Sequence, residues 1–250
     1  MDFNLVFFFY GLAFFGLGLT MALEAGRFPL LAEARASALL AAFGLLYGFH
    51  EWMELFIVWQ PEWAGQPVVQ FEWLRLGWLE LTFGLLILFG LRMLQPSKQL
   101  SGREILYWAG AVAMDAAVIL VVALFFRSYR ADWMDYTNVI VRYSLGVPGA
   151  LLAGFALNRQ ALLSRQQGLP RATPGLRIAG YGFYFFSFTQ LFDQPLSFFP
   201  VNYLNSATFS SVIGIPVQVV RAMLAVVITF GLVQAMQAAE MERQRQFAAA

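Results

Sequence analysis

The chain has no cysteine, which excludes disulfides, thiolate metal ligands and a cysteine nucleophile. It has a single histidine, which excludes haem held between two histidines. Its one lysine, Lys98, falls in a loop between apolar runs, so retinal bound as a Schiff base inside the protein is excluded as well. Charge is scarce at 12% of residues against 60% hydrophobic, about half the charged share of a soluble domain. A net charge of +1 leaves no basic field of the size nucleic acid requires.

In place of charge the chain has long apolar runs with few breaks, the pattern of an all-α membrane protein whose partner is the lipid bilayer. Seven spans are expected at about 4–24, 35–59, 74–94, 104–126, 138–158, 175–195 and 213–238, each near the ~20 residues that cross a bilayer. Arg27-Phe28-Pro29, Gln60-Pro61, Gln95-Pro96 and Gly168-Leu169-Pro170 mark breaks between them. The first run lacks a basic flank and a small-residue cleavage site, so it reads as a retained span. Eleven cations, among them Arg27, Arg92, Lys98, Arg159 and Arg243, fall on one side, and only Arg75, Arg127 and Arg130 on the other. That bias predicts the N-terminus outside and the C-terminus in the cytoplasm. Trp59, Trp63, Trp73, Trp78 and Trp133 cluster at the expected outer ends, as an interfacial aromatic belt does. Gly11, Gly16 and Gly18 in a Phe-rich span are expected to admit close helix packing. The many Phe residues are expected at lipid or in helix contacts. No internal repeat is evident, which weighs against a transporter built from two halves.

Against this background eight ionisable residues inside the spans stand out: His50, Glu51, Glu54, Glu80, Asp115, Arg142, Asp193 and Arg221. A charge in hydrocarbon costs several kcal/mol unless paired or wetted. Counting from the outer ends, all but Asp115 share one depth. His50 and Glu54 are four apart, Tyr47 and His50 three, and Gln218–Arg221 and Gln190–Asp193 repeat the three-residue step, so each set lines one helix face. Two readings follow. Either Arg142 and Arg221 neutralise Glu80, Glu54 or Asp193 and the network fixes helix register, or the layer lines an outward-facing pocket. In the second case the ligand-binding residues are His50, Glu51, Glu54, Glu80, Arg142, Asp193, Gln218 and Arg221. The excess of carboxylate then suits a cation, an amine or a proton, with His50 as the pH-responsive member. His50 and Glu54, four apart on a helix, also form a candidate pair of metal ligands, without a third ligand specified by spacing. No catalytic residue is assigned.

Several segments carry a family resemblance. Phe-Phe-Phe-Tyr-Gly-Leu-Ala-Phe-Phe-Gly-Leu-Gly-Leu (7–19), Leu-Glu-Ala-Gly-Arg (23–27) and Tyr-Gly-Phe-His-Glu-Trp-Met-Glu-Leu (47–55) resemble the N-terminal membrane region of bacterial sensor histidine kinases and diguanylate cyclases. Gly-Ile-Pro-Val-Gln-Val-Val-Arg-Ala (214–222) and Glu-Met-Glu-Arg-Gln-Arg-Gln (240–246) extend the resemblance. It implies a signal-transduction protein of the bacterial cytoplasmic membrane, with a sensor domain at 1–238 and the start of a cytoplasmic signalling helix at 239–250. It also implies a homodimer meeting along the seventh span, near Ala235 and Glu242. The phosphoacceptor His, the ATP-binding motifs and the cyclase motif are missing, so the output domain is expected outside this chain or on a partner. A small transporter or channel, an accessory subunit of a larger complex and a membrane enzyme with a reacting group beside His50 are the alternative classes.

Overall fold

The computed structural model describes residues 3–24, 34–64, 69–95, 114, 117–128 and 132–248. In chain order the elements are α1 (Phe3–Glu24), α2 (Ala34–Ala64) and α3 (Val69–Leu94), then α4 (Ala117–Ser128). There follow α5 (Trp133–Val141), a π-helical turn (Arg142–Gly146), α6 (Val147–Gln166), α7 (Thr173–Thr189), α8 (Ser206–Ile213) and α9 (Val217–Ala248). Among the described residues four stretches are long and apolar enough to cross a membrane: Asn4–Glu24, Phe71–Leu94, Trp133–Gln166 and Val217–Gln246, with Ala117–Ser128 a shorter apolar helix. Their outer faces expose Phe9, Leu81, Phe155 and Phe230, an apolar surface of a kind that lipid covers. The described residues are helical without strands, and several of the helices have the length and apolar composition of membrane spans, which is compatible with an all-α, multi-pass membrane protein.

Helix α1 packs on α2, α2 on α3, α3 on α6, α6 on α7, α7 on α9 and α9 back on α1, closing a ring. Helical spacing decides which aromatics fill it. Phe183 and Phe186, three apart, are buried while Phe185 between them is exposed, and Tyr10 is buried while Phe8 and Phe9 are not. The ring's centre holds Phe14 against Tyr47 at 4.6 Å and against Phe186 at 5.1 Å between centroids. Around them Phe43, Phe83, Phe89 and Phe183 are fully buried.

Two glycine pairs set the closest approaches. A Cβ on Gly44 would lie 2.5 Å from the Gly18 amide nitrogen, and one on Gly231 would lie 2.7 Å from the Gly175 carbonyl. Backbone therefore touches backbone between α1 and α2 and between α7 and α9, as small residues permit in membranes. Gly11 meets Trp52 and Gly48 in the same way, whereas Gly16, expected to act likewise, faces open space.

Several expected boundaries move. Helix α2 continues through Pro61 to Ala64; a proline so near the end removes one amide hydrogen bond without stopping the helix. The helix placed at 138–158 begins at Trp133 and runs 34 residues to Gln166. Within it the Val147 amide donates to the Arg142 carbonyl, five residues back, and Pro148, which has no N–H to donate, follows the wide turn. Helix α7 ends at Thr189, and the chain then folds back before α8 and α9. The segments around Arg27-Phe28-Pro29 and most of the expected fourth span, including Asp115, lie outside the described residues.

The last helix shows no break at 238–239. It runs from Val217 to Ala248, and its far end is docked on the chain itself. Both Glu242 carboxylate oxygens accept from the Arg171 amide at 3.2 Å, and the Gln246 side-chain amide donates to the Gly168 carbonyl at 3.1 Å. The carboxylate serves the amide-rich entry to α7, where backbone donors lack helical partners. Ala235 and Glu242 are thereby buried, so the positions expected to meet a second copy face the chain's own α7 and the turn before it.

Candidate functional site

The polar layer collects at the end of the ring where α2 finishes and α3, α5 and α9 begin. Its centre is Arg142, 4% exposed, which the π turn carries inward. The Nε atom donates to Asn138 Oδ1 at 3.1 Å, and Nη1 donates to Gln190 Oε1 at 2.9 Å and to the Tyr47 hydroxyl at 3.2 Å. Asp193 completes the set as an ion pair, with Oδ2 3.0 Å from Nε. Tyr47 in turn shares a hydrogen bond of 2.7 Å with Tyr10. One guanidinium thus ties together α1, α2, α5, the end of α7 and the segment after it.

Arg221 behaves differently. It is 2% exposed, and its hydrogen bonds go to backbone carbonyls, those of Thr189 at 2.7 Å and Phe192 at 2.9 Å. These carbonyls mark the C-terminus of α7, where unpaired acceptors and the negative end of the helix dipole attract a cation. The expected pairing of Arg221 with Glu80, Glu54 or Asp193 is replaced by this helix-end contact. Glu54 pairs instead with Arg75 at 2.9 Å, a cation whose place near a span end had suggested only a part in orientation.

His50 and Glu51 are the least matched members. His50 is fully buried, with Nδ1 3.6 Å from Glu51 Oε1 and Nε2 3.8 Å from Glu54 Oε1, both beyond hydrogen-bond length. Neither imidazole nitrogen, nor Glu51 Oε1, nor Arg221 Nε, finds a hydrogen-bond partner among the described residues. Glu51 is 1% exposed. Buried polar atoms are nearly always partnered by protein or water, so these are the least satisfied groups of the layer.

A cavity of about 60 Å³ is lined by Glu51, Glu54, Asp135, Asp193, Gln218 and Arg221, with Arg75, Asn138 and Arg142 among its other walls. A second, of about 320 Å³, shares Phe7, Glu54, Asp193, Gln194 and Gln218 with it and adds Leu55, Pro216, Ser206 and Ser210. The shared walls make them an inner chamber and an outer vestibule. The vestibule's rim is the segment after α7, held by the Ser206 amide donating to the Asp193 carbonyl at 2.7 Å. The Tyr143 hydroxyl also donates to the Leu191 carbonyl at 2.8 Å.

Of the residues picked from sequence, Glu51, Glu54, Arg142, Asp193, Gln218 and Arg221 line the chamber, and His50 lies behind Glu51 and Glu54. Glu80 does not line either cavity. It follows Arg75 by five residues, which turns a helix by about 140°, so Arg75 and Glu80 cannot share the wall. The metal reading of His50 with Glu54 finds no third ligand: among the described residues no three His, Asp or Glu side chains converge on one point, short of the four ligands zinc takes. Sequence reasoning missed Asp135 and Asn138. With Arg142 they are spaced three and four apart, a stripe visible in the sequence but divided by the expected span start at 138.

Compared with models of known protein families, with curated proteins and with solved structures, the chain matches none of them.

Proposed function

We propose that this chain is the membrane-embedded sensory input domain of a bacterial signal-transduction protein. A small polar signal enters the vestibule from outside the cytoplasmic membrane, and α9 carries the response to a cytoplasmic output domain outside this chain or on a partner. In this reading the chain crosses the membrane seven times, N-terminus outside, as its charge bias favours. The observation that carries the reading is that one helix both walls the chamber and runs on unbroken to the far end of the fold. Gln218 and Arg221 of α9 form chamber wall, and the unbroken helix they belong to is 32 residues long in all, ~48 Å at 1.5 Å per residue, longer than a ~30 Å hydrocarbon core. The resemblance of residues 7–19, 47–55 and 214–222 to sensor kinases and cyclases points the same way. A transporter reading is disfavoured by the aromatic fill of the ring below the chamber, where Phe43, Phe83, Phe89 and Phe183 are fully buried. A second copy would meet α9 along its exposed stripe, Met223, Phe230, Gln237 and Gln244, spaced by seven.

The cysteine-free sequence allows a direct test. Spin labels at exposed Leu162 and Gln244, diluted with unlabelled protein in lipid bilayers, report where the far end of α9 sits relative to α6. Changing the chamber with Glu51→Gln or Gln218→Ala is expected to shift that distance distribution, while the exposed α3 variant Leu81→Ala leaves it in place. Superimposable distributions for all variants would remove the coupling.

A further inference from the structure

We propose that the inner chamber takes the ammonium group of a small primary amine, with Glu51 as its counter-ion. The proposal rests on the pocket reading above and names the chemical class of its ligand. Four carboxylates line the chamber against three guanidinium groups, and their pairing is uneven. Arg75 belongs to Glu54 and Arg142 to Asp193, while Arg221 is turned to the carbonyls that end α7. Among the described residues Glu51 and Asp135 are therefore left without a guanidinium of their own, and of the two Glu51 is the buried one. Its Oε1 has no hydrogen-bond partner among the described residues, and the described lining holds one more carboxylate than guanidinium group. A buried carboxylate in that state calls for a cation.

The walls select which cation. A metal ion needs several oxygen or nitrogen ligands converging on it, and no three carboxylate or imidazole groups converge among the described residues. A quaternary ammonium is held by an aromatic cage, but among the described residues Phe7 is the one aromatic ring lining the chamber. An ammonium with N–H groups matches what is there: Glu51 Oε1, without a hydrogen-bond partner among the described residues, as charge-assisted acceptor, and the Gln218 side chain on the same lining. An anion would meet more carboxylates than guanidinium groups, with Arg142 and Arg75 held by carboxylates and Arg221 turned to the α7 carbonyls. The Arg221 Nε is the one buried guanidinium N–H that lacks a partner among the described residues. The organic remainder of the ligand has the vestibule, where Phe7, Leu55 and Pro216 supply apolar wall and Ser206 and Ser210 supply hydroxyls. A free amine and the amino head group of a lipid share this chemistry.

The test uses the full chain in nanodiscs of phosphatidylcholine, at fixed pH and ionic strength, with unfolding followed by the fluorescence of its seven tryptophans. Propylammonium is expected to raise the melting temperature saturably, whereas tetramethylammonium, sodium and propionate do not. Glu51→Gln is expected to weaken the propylammonium effect on the order of tenfold or more, the usual weight of a hydrogen bond to a charged group. Because that variant alters a buried group, a second measurement stands apart from it. In Ser210→Cys with Glu51 intact, propylammonium is expected to slow modification by a membrane-impermeant thiol reagent. Replacing part of the lipid by phosphatidylethanolamine separates the sources: a raised melting temperature with a blunted propylammonium response identifies the lipid head group, and an unchanged response identifies a free amine. Equal stabilisation by tetramethylammonium or sodium, or a Ser210→Cys thiol that reacts freely yet is not protected, overturns the ammonium assignment and leaves the pocket standing. A thiol at that position that never reacts from outside removes the pocket reading itself.

Discussion

Replacing Arg142 by leucine is expected to cost ~3–5 kcal/mol, the usual loss when one partner of a buried charge pair is deleted. The change strands Asp193 and removes the donor to Gln190, Tyr47 and Asn138 together. Against ordinary net stabilities of about 5–15 kcal/mol, that removes a large share of the total, so the melting temperature and the amount accumulating in membranes should both fall. Glu51→Gln should behave in the opposite way. It exchanges a buried charge with an unpartnered oxygen for a neutral amide of the same shape, so the melting temperature is expected to hold or rise. The contrast separates two kinds of residue in one layer: Arg142 holds helices together, and Glu51 keeps a stability cost that makes sense only if something is bound there. Thermal unfolding of both variants in the same bilayer decides the matter. Equal losses would mean that Glu51 belongs to the structural network.

The second large effect is expected at the α7–α9 contact. Gly231→Leu places a side chain against the Gly175 carbonyl and the Ala179 amide. These are backbone atoms that cannot step aside, so the cost should lie at the top of the ~1–3 kcal/mol range for overpacking, or above it. The same two helices are also joined at both ends by charge. Arg221 meets the last carbonyls of α7 and Glu242 meets the first amides of the turn that leads into it. Each charge has the sign the dipole of α7 favours at that end. An α9 that slides past α7 would have to break all three contacts, so the two should move as one body against the remaining helices. Gly231→Leu should therefore lower the melting temperature, and in the fraction that folds the spin-label distance from Leu162 to Gln244 should broaden. A variant as stable as the parent, with an unchanged distance, would show that the glycine contact is looser than its geometry implies.

The polar layer was legible because lipid leaves little freedom. A span that carries His50, Glu51 and Glu54 within two turns must turn them inward, and matching depths in other spans supplied Arg142, Asp193, Gln218 and Arg221. Spacing does not say who pairs with whom. Arg75 stands near a span end, where a cation ordinarily serves topology, and only the structure brings it 2.9 Å from Glu54. Glu80 has the right depth but the wrong helical angle, since depth was counted and rotation was not. Arg221 was sought a carboxylate and has a helix terminus instead, because backbone acceptors leave no mark in a sequence. The segment between α7 and α9 carries no apolar period to read, yet it forms the vestibule's rim. Pro61 marks a break by rule, but one missing amide near a helix end is a small loss. The exit helix was traced correctly by its lack of Gly and Pro after Gly231, whereas its docking through Glu242 depends on a partner 71 residues away in sequence.

The central claim is that the polar layer is a chamber reached from outside and not a sealed ion-pair network. Its most direct measurement is the reactivity of Gln218→Cys, a position that lines both cavities, in intact cells. A charged, membrane-impermeant thiol reagent added outside should label the Gln218→Cys variant. It should fail to label Ile228→Cys, whose position is buried in the helix contacts below. A Gln218→Cys thiol as unreactive as that of Ile228→Cys, in a protein that accumulates normally, would contradict the account.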